Sequence, residues 1–584
     1  MSHLPIAIHT AAQVRALDRH AIDDLGIPSY ALMTRAGEAG LALLRREWPG
    51  ARRLLVLCGP GNNAGDGYVL ARCARAQGME VSLVALGDPR RLGGDAHRAC
   101  EDFVTAGGAV LTWDPQHVPD CDVVVDAIFG TGLTRPVEGD IAASIRAVNA
   151  SGLPVLALDI PSGLHADTGE VLGSAIVAQH CLSFIGLKLG FYLGAGPDHV
   201  GVVHFDALGL PETARAHVDA AAHRVETSLL AQVLPRRTRL AHKMQQGSVL
   251  VIGGGPGMAG AARMAGEAAL RVGAGLVSVA THPGNVTALL AARPELICRG
   301  VEQAADLATL IERADVLALG PGLGQDDWAH ALAAAALASG LPMVIDADGL
   351  NLLARWQTPP AVPGSNDTPV PGRSPTAPAR RPSGRAGWIL TPHPGEAGRL
   401  LDCSTVRIQA DRLGAANAIA ERYAATVVLK GAGSLIAASG RLPSVCDRGN
   451  PGMASAGMGD VLTGIIAGIA AQCVHRGHRG VPRGGHQTVH RPLPADRPGD
   501  ADVSGAAASM PAAGQESLMS AKSTRSPAPV APAPAAGQEW LWDVARAGVL
   551  VHAMAGDAAA ARGERGLIAT DLFAYLPACV NPVR

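Results

Sequence analysis

Two α/β domains in tandem are the fold this sequence predicts, and three observations predict it. Short apolar runs bounded by Gly, Asp or Asn alternate with amphipathic stretches in both halves of the 584-residue chain, the pattern of buried parallel strands covered by helices. Glycine-rich loops follow several of these runs, where ligands of open α/β sheets collect. An Ala- and charge-rich stretch, Leu210–Leu229, separates two halves that each carry such loops. Length alone allows two to four domains, and 48% hydrophobic against 17% charged residues supply sizeable cores. The division expected is a first domain over 1–215, a linker over 216–240 and a second domain over 241–584.

In the first half the runs Leu54–Cys58, Val81–Leu86, Val123–Phe129 and Val155–Ile160 read as parallel strands, each followed by a helical pattern. In the second half Ser248–Ile252, Val277–Ala280, Val316–Gly320, Met343–Asp346, Trp388–Thr391 and Thr426–Lys430 repeat the logic. Two tracts break the pattern. Residues 357–385 hold eight prolines and almost no large apolar side chain, and 474–538 run from a His/Arg/Gly-rich stretch to SPAPVAPAPAAGQ. Neither buries enough surface to offset the entropy of ordering it, so both are expected to be disordered, dispensable insertions in loops.

Composition excludes several classes of function. Lys and Arg number 49 against 51 Asp and Glu, too balanced for a partner whose phosphates need neutralising. Aromatics at 3% leave few stacking platforms for single strands, so no nucleic-acid partner is expected. The ten cysteines form no CxxC pair. The start MSHLPIAIHT lacks signal-peptide features, and the apolar stretch Val461–Cys473 is too short to span a bilayer. A cytoplasmic homo-oligomer acting on small molecules, without a membrane partner, is expected.

The first strand leads into Gly59-Pro60-Gly61-Asn62-Asn63-Ala64-Gly65-Asp66-Gly67 and then a helix. Glycines at a strand-to-helix turn bring backbone N–H groups and the helix dipole to a phosphate, although a tight turn needs glycine on steric grounds alone. Asp126 lies on a strand ahead of the loop Gly130–Pro136, and Asp159 ends the next strand before Pro161-Ser162-Gly163. A strand-end aspartate also serves as a cap; three such loops in one unit favour a site.

The second half carries Asn450-Pro451-Gly452-Met453-Ala454-Ser455-Ala456-Gly457-Met458-Gly459-Asp460, then an apolar helix. Its small residues and helix N-terminus suit a transferring phosphoryl group, and Asp460 can accept the proton of an attacking hydroxyl; as a first-turn acid it would be merely structural. Lys430-Gly431-Ala432-Gly433-Ser434 follows a strand and suits a nucleotide. Thr391-Pro392-His393-Pro394-Gly395-Glu396, Gly320-Pro321-Gly322-Leu323-Gly324 and Asp346-Ala347-Asp348 are further strand-end motifs.

The strings GNNAGDG, DAIFGTGL, DIPSGLHADTG, LMTRAG and Lys188-Leu189-Gly190, over about 10–210, resemble the NAD(P)H-hydrate epimerase domain. The resemblance implies a Rossmann-like domain that interconverts the R and S epimers of hydrated NADH or NADPH. Asn62, Asn63, Ala64, Gly65, Asp66 and the loop Gly130, Thr131, Gly132, Leu133, Thr134, Arg135, Pro136 would hold the dinucleotide. Asp159 would stand at the reacting carbon, and Asn63, Asp126 and Ser162 would coordinate potassium. Ala64 replaces the usual Gly, and Thr34 the usual Glu.

The strings HKMQQGSVLVIGGGPGMAGAA, RPEL, GPGLG, DADGLNLL, LTPHPGE, LKGAGS, GMGDVLTG and HAMAGD resemble the ADP-dependent NAD(P)H-hydrate dehydratase, a ribokinase-like α/β domain, over about 240–472 and 540–580. The implied reaction phosphorylates the S hydrate's hydroxyl with ADP, helped by magnesium, and then expels phosphate to leave NAD(P)H and AMP. Lys430, Gly431, Ala432, Gly433, Ser434 and Gly459 would bind the AMP moiety; Ala261, Gly322, His393 and Asp460 would face the hydrate. Met244, Ser434, Ser455-Ala456 and Met458 depart from the family pattern. Two alternatives stand beside this reading: a ribokinase-like kinase for a vitamin-precursor alcohol, and a nucleotide-binding protein without turnover.

Overall fold

All ten strands expected above are present, each within two residues of its expected ends. The structure, a computed structural model, describes residues 4–113, 118–356, 387–474 and 539–581. The tract 357–385, and 474–538 apart from Val474, lie outside the described residues.

Seven parallel strands form the first sheet, side by side in the order Val110–Thr112, Glu80–Ala85, Arg53–Cys58, Val123–Ala127, Val155–Leu158, His180–Phe184 and Val202–Asp206. Val123–Ala127 is buried at every position, as a central strand covered on both faces must be. Strand order reverses between Arg53–Cys58 and Val123–Ala127, which opens a crevice at their carboxyl ends. The helix Asn62–Ala76 starts there.

The second sheet has twelve strands. Ile297–Gly300, Leu276–Thr281, Ser248–Ile252, Val316–Leu319, Met343–Ile345, Trp388–Leu390 and Thr426–Leu429 run parallel in that order, and Ser434–Ala437 and Ser444–Cys446 follow antiparallel. The ladder does not stop at the second half of the chain. Ser444–Cys446 pairs with Ala222–Arg224, which pairs with Ala7–His9, which pairs with Leu187–Lys188. Arg224 locks this seam through Asp447 at 2.6 Å and the Leu4 carbonyl at 3.1 Å. The segment 216–240, expected to be linker, thus contributes a ladder strand, and its helix Ser228–Val233 buries Leu229, Leu230 and Val233 in the second-half core. Strands of two to five residues with polar members carry too little periodicity to be seen in sequence.

Among the described residues no helix is long and apolar enough to cross a membrane. The apolar Met458–Val474 is instead a central helix, buried from Val461 to Cys473. At Gly464 it packs so closely on Ala259–Arg271 that a side-chain carbon would overlap the Ala265 carbonyl, and Glu539–Ala559 packs beside it through Gly548 against Ile466.

Candidate active sites

The first site is a cavity of about 570 Å³ at the crevice of the seven-stranded sheet. Asn62, Asn63, Asp66, Gly130, Thr131, Gly132, Leu133, Thr134, Arg135 and Asp159 all line it. Ala64 and Gly65 are buried in the helix beneath, and Pro136 is exposed just past the lining residues. Ala64 has an ordinary helical backbone, so its methyl group introduces no strain.

Asp159 sits at the focus. Its φ of 68° is in the left-handed region, a strain of the kind that packed surroundings hold at functional sites. Its carboxylate accepts the Thr131 N–H at 3.0 Å and pairs with Lys188, whose side chain is completely buried. Lys188 also donates to Ser183 Oγ at 3.0 Å and the Phe184 carbonyl at 3.2 Å, so its three donors are all spent. A Cβ at Gly130 would stand 2.7 Å from Asp159 Oδ2, so any other residue there would push the carboxylate out of place. Burial, then the Asp159 charge, push the Asp66 carboxyl well above its ordinary value.

Beneath the cavity lie Asn63, Asp126 and Ser162, all buried. Asp126 accepts from Ser162 Oγ at 2.6 Å, Ser162 N at 2.8 Å and Ile128 N at 3.2 Å. Burial raises its pKa to about 6 despite these bonds. The Asn63 amide donates to the Phe129 and Leu158 carbonyls, at 3.1 and 3.2 Å, while its buried Oδ1 has no partner. An orphaned amide oxygen beside a buried carboxylate is a donor set that suits a hard cation.

The second site is built around Lys430 at the end of Thr426–Leu429. Lys430 Nζ lies 2.7 Å from Asp346 Oδ1 and 3.7 Å from Glu396 Oε2. Thr463 Oγ1 donates to the other Asp346 oxygen at 2.8 Å. Burial opposes both charges, yet the pair outweighs it, holding Asp346 below the usual carboxylate value and Lys430 above the usual amine value. Gly459 lies over the pair, its Cβ position 3.2 Å from Lys430 Nζ and 3.3 Å from Asp346 Oδ2. Asp460, one residue on, is pushed up to about 7 by burial and then by the Asp346 charge. That suits a base working near neutrality.

His393 is the N-cap of Pro394–Leu401: its Nδ1 accepts from Gly395 N at 2.9 Å, and Glu396 returns the bond to His393 N at 2.8 Å. Ala261, in the first turn of Ala259–Arg271, and Gly322, on the loop after Val316–Leu319, are brought together, the Cβ position of Gly322 lying 3.0 Å from Ala261 Cβ. The loop Gly431–Ser434 is held by Arg412, which donates to the Ala432 carbonyl at 2.7 Å, and Ser434 Oγ caps the Gly431 carbonyl at 2.9 Å. Burial lowers the Arg412 pKa to about 10. Gly433 has φ +62°, and a Cβ there would overlap the Tyr192 carbonyl of the first domain. Gly433→Ala therefore forces the loop off Tyr192; a lowered melting temperature and an ADP affinity weakened about tenfold are expected, from roughly 1–3 kcal/mol of strain, read by thermal denaturation and calorimetry. Met458 is buried in the apolar core and Met244 is exposed.

Sequence reading assigned no role to Lys188, Asp18, Glu396, Arg412 or Thr463. The His-x-x-Glu capping box could have flagged Glu396, and Lys188 and Thr463 stand within the family strings Lys188-Leu189-Gly190 and GMGDVLTG; Asp18 and Arg412 carry no local signal.

A crevice site at a strand-order reversal, joined to a loop-and-helix site with a buried lysine–aspartate pair, defines a tandem α/β enzyme with two nucleotide-type centres. Family models match each part: "YjeF-related protein N-terminus" over 29–190 and "NAD(P)H-hydrate dehydratase" over 249–482. The chain is 40% identical to the bifunctional NAD(P)H-hydrate repair enzyme Nnr of Coxiella burnetii over 98% of both chains. It is 38% identical to that of Escherichia coli, over 99% of this chain and 95% of the relative, and 39% identical to that of Vibrio cholerae, over 80% and 90%. The chain belongs to the family of bifunctional NAD(P)H-hydrate repair enzymes.

Proposed function

We propose that the two sites divide the repair of hydrated NADH and NADPH as the two family halves suggest. The observation that carries this is the pairing on one chain of the Asp159–Lys188 pocket with the Lys430–Asp346–Asp460 cluster.

In the first site the helix start 62–66 and the loop 130–136 hold the dinucleotide, and Asp159, kept in place by Lys188 and Thr131, faces the hydrated ring carbon. Potassium held by Asn63, Asp126 and Ser162 would offset the buried carboxylate and brace the loop between Asp126 and Phe129. Exchanging potassium for lithium is expected to slow epimerisation and leave the second reaction unaffected.

In the second site Lys430 and the 431–434 loop hold the nucleotide, with Gly459 against its phosphate side. Asp460 takes the proton of the S hydrate's hydroxyl as its oxygen attacks the β-phosphorus of ADP, and AMP departs. The ring nitrogen's lone pair then expels phosphate from the carbon, and loss of the neighbouring C–H proton restores the dihydronicotinamide. Magnesium would neutralise phosphate charge; Asp346, Asp348 and Glu396 supply oxygen donors of the right kind. Ala261, Gly322 and His393 form the side facing the hydrate. The ten free thiols are in keeping with a reducing cytoplasm.

The test is a repair assay on mixed R and S hydrates with potassium, magnesium and ADP, followed at 340 nm. Recovery of NADH from both epimers supports the reading. Recovery of only the S share removes the epimerase half, and accumulation of a stable phosphoester points to the small-molecule kinase.

A further inference from the structure

The first cavity has a second wall that the motifs do not reach. The helix Ala11–Arg19 and the turn after it line it with Val14, Arg15, Asp18 and Ile22, a helical spacing that turns one face to the pocket. The same cavity is lined by Asp66 on the helix Asn62–Ala76 and by Gly130 and Asp159 at the strand ends. The helix is fixed in place: Thr10 caps it in a capping box, and its first N–H donates to Asp167 at 2.6 Å, in the loop that follows Ser162. Val14 and Ile22 are apolar, so a carboxylate between them needs a reason. Among the described residues Asp18 has neither a hydrogen-bond nor an ion-pair partner, although most half-buried carboxylates have one.

We propose that Asp18 is the proton donor of the epimerase, facing Asp159 across the pocket so that the two carboxylates work as an acid–base pair. This rests on the epimerase reading above and goes beyond it by naming a group outside every motif. The step balances as follows. The bond from the ring carbon to its hydroxyl breaks as the ring-nitrogen lone pair forms a C=N iminium, and the Asp18 proton leaves with the hydroxide as water. A second water adds to the iminium carbon from the opposite face and gives a proton to Asp159, returning the lone pair to nitrogen. The net result is one inverted carbon and one proton moved from Asp18 to Asp159, which exchange with solvent resets. Running the other way, the two groups trade roles, so one pair serves both epimers.

The surroundings of Asp18 suit a proton donor. Asp159 has Lys188 against it, and Asp18 does not hold a cation of its own. The charged groups around Asp18 are Asp159 on the sheet side, the buried Lys188, and Arg15 and Arg19 on its own helix; Asp66, itself pushed toward its protonated form, faces the same pocket, and Asp95 and Arg135 line the same cavity. Burial first, then Asp159, raise Asp18 to about 6, against the pull of Lys188 and the two arginines. A donor must be protonated, so the rate declines as pH rises through that value.

The experiment follows R-to-S conversion chromatographically in the full chain without ADP, so that the second site stays silent. Asp18→Asn is expected to lower kcat about 100-fold with little change in KM, and to erase the decline above about pH 6 seen in the wild type. Asp18→Glu restores that decline and much of the rate. ADP-dependent recovery of NADH from purified S hydrate serves as the folding control and stays unchanged in both variants. The proposal is overturned if Asp18→Asn keeps the wild-type kcat and pH profile, or if only KM rises, which would make Asp18 a binding group. A wild type without epimerisation above the spontaneous rate removes the underlying reading and this one with it.

Discussion

Asp460→Asn abolishes ADP-dependent recovery of NADH, by about 10³-fold, while R and S hydrates continue to interconvert at the wild-type rate. The separation follows from the architecture: Asp460 stands on Met458–Val474 beside Lys430 and Asp346, in the twelve-stranded sheet, whereas the epimerase cavity belongs to the other sheet. The pH dependence gives a second readout. Burial and the Asp346 charge hold Asp460 at about 7, and a base must be ionised to work, so wild-type turnover rises as pH rises through that value. The stability sign is opposite. A carboxyl whose folded pKa exceeds its unfolded value favours the folded state when protonated, and that contribution fades as pH climbs from the ordinary carboxylate value through about 7. Asp460→Asn should therefore melt higher than the wild type at pH 8. Thermal denaturation and phosphate release on one preparation check both, and retained turnover in the variant would remove Asp460 from the chemistry.

Lys188→Met is the change with the largest effect on the first half. The Lys188 ammonium is completely buried and satisfies Asp159, Ser183 and the Phe184 carbonyl together. Replacing it with an apolar chain of similar length strands the Asp159 carboxylate near Asp66 and Asp18, and breaking one side of such a pair costs about 3 kcal/mol or more. A melting temperature lower by about 6 °C and epimerisation down about 100-fold are expected, with ADP-dependent conversion of purified S hydrate retained at 25 °C. An unchanged melting temperature would mean that the pair contributes nothing to the fold.

The strand-and-loop skeleton was legible because its signals are local. Buried parallel strands are continuous apolar runs, and a phosphate loop writes its glycines next to the strand it follows. Asn63, Asp126 and Ser162 lie in three strand-end motifs, the family resemblance groups them, and the fold brings them together. Partners joined only by the tertiary fold were not legible. Lys430 and Asp346 are 84 residues apart, and Thr463 and Asp346 are 117 apart; neither spacing has a periodicity to read. Asp18 looks like any polar residue on an amphipathic helix until the helix is seen to wall a cavity. Arg412 likewise reads as a surface arginine, and the fold buries it under the 431–434 loop.

The seam in which Ala222–Arg224, Ala7–His9 and Leu187–Lys188 extend the second sheet bears on anyone who would split this gene into two products. A break anywhere between 216 and 240 makes a half-protein that either loses its last three neighbours or takes a single orphan strand with it. Cut after Arg224, the carboxyl-terminal product would present Ser444–Cys446 as a raw margin of free N–H and C=O groups, an invitation to fibrous self-pairing. The amino-terminal product would keep Ala7–His9 paired with Leu187–Lys188 but cut off from the rest of that sheet, beside the lysine that holds Asp159. Evolution can therefore trade these halves only by rebuilding a border, and a recombinant producer gains more from keeping the polypeptide whole.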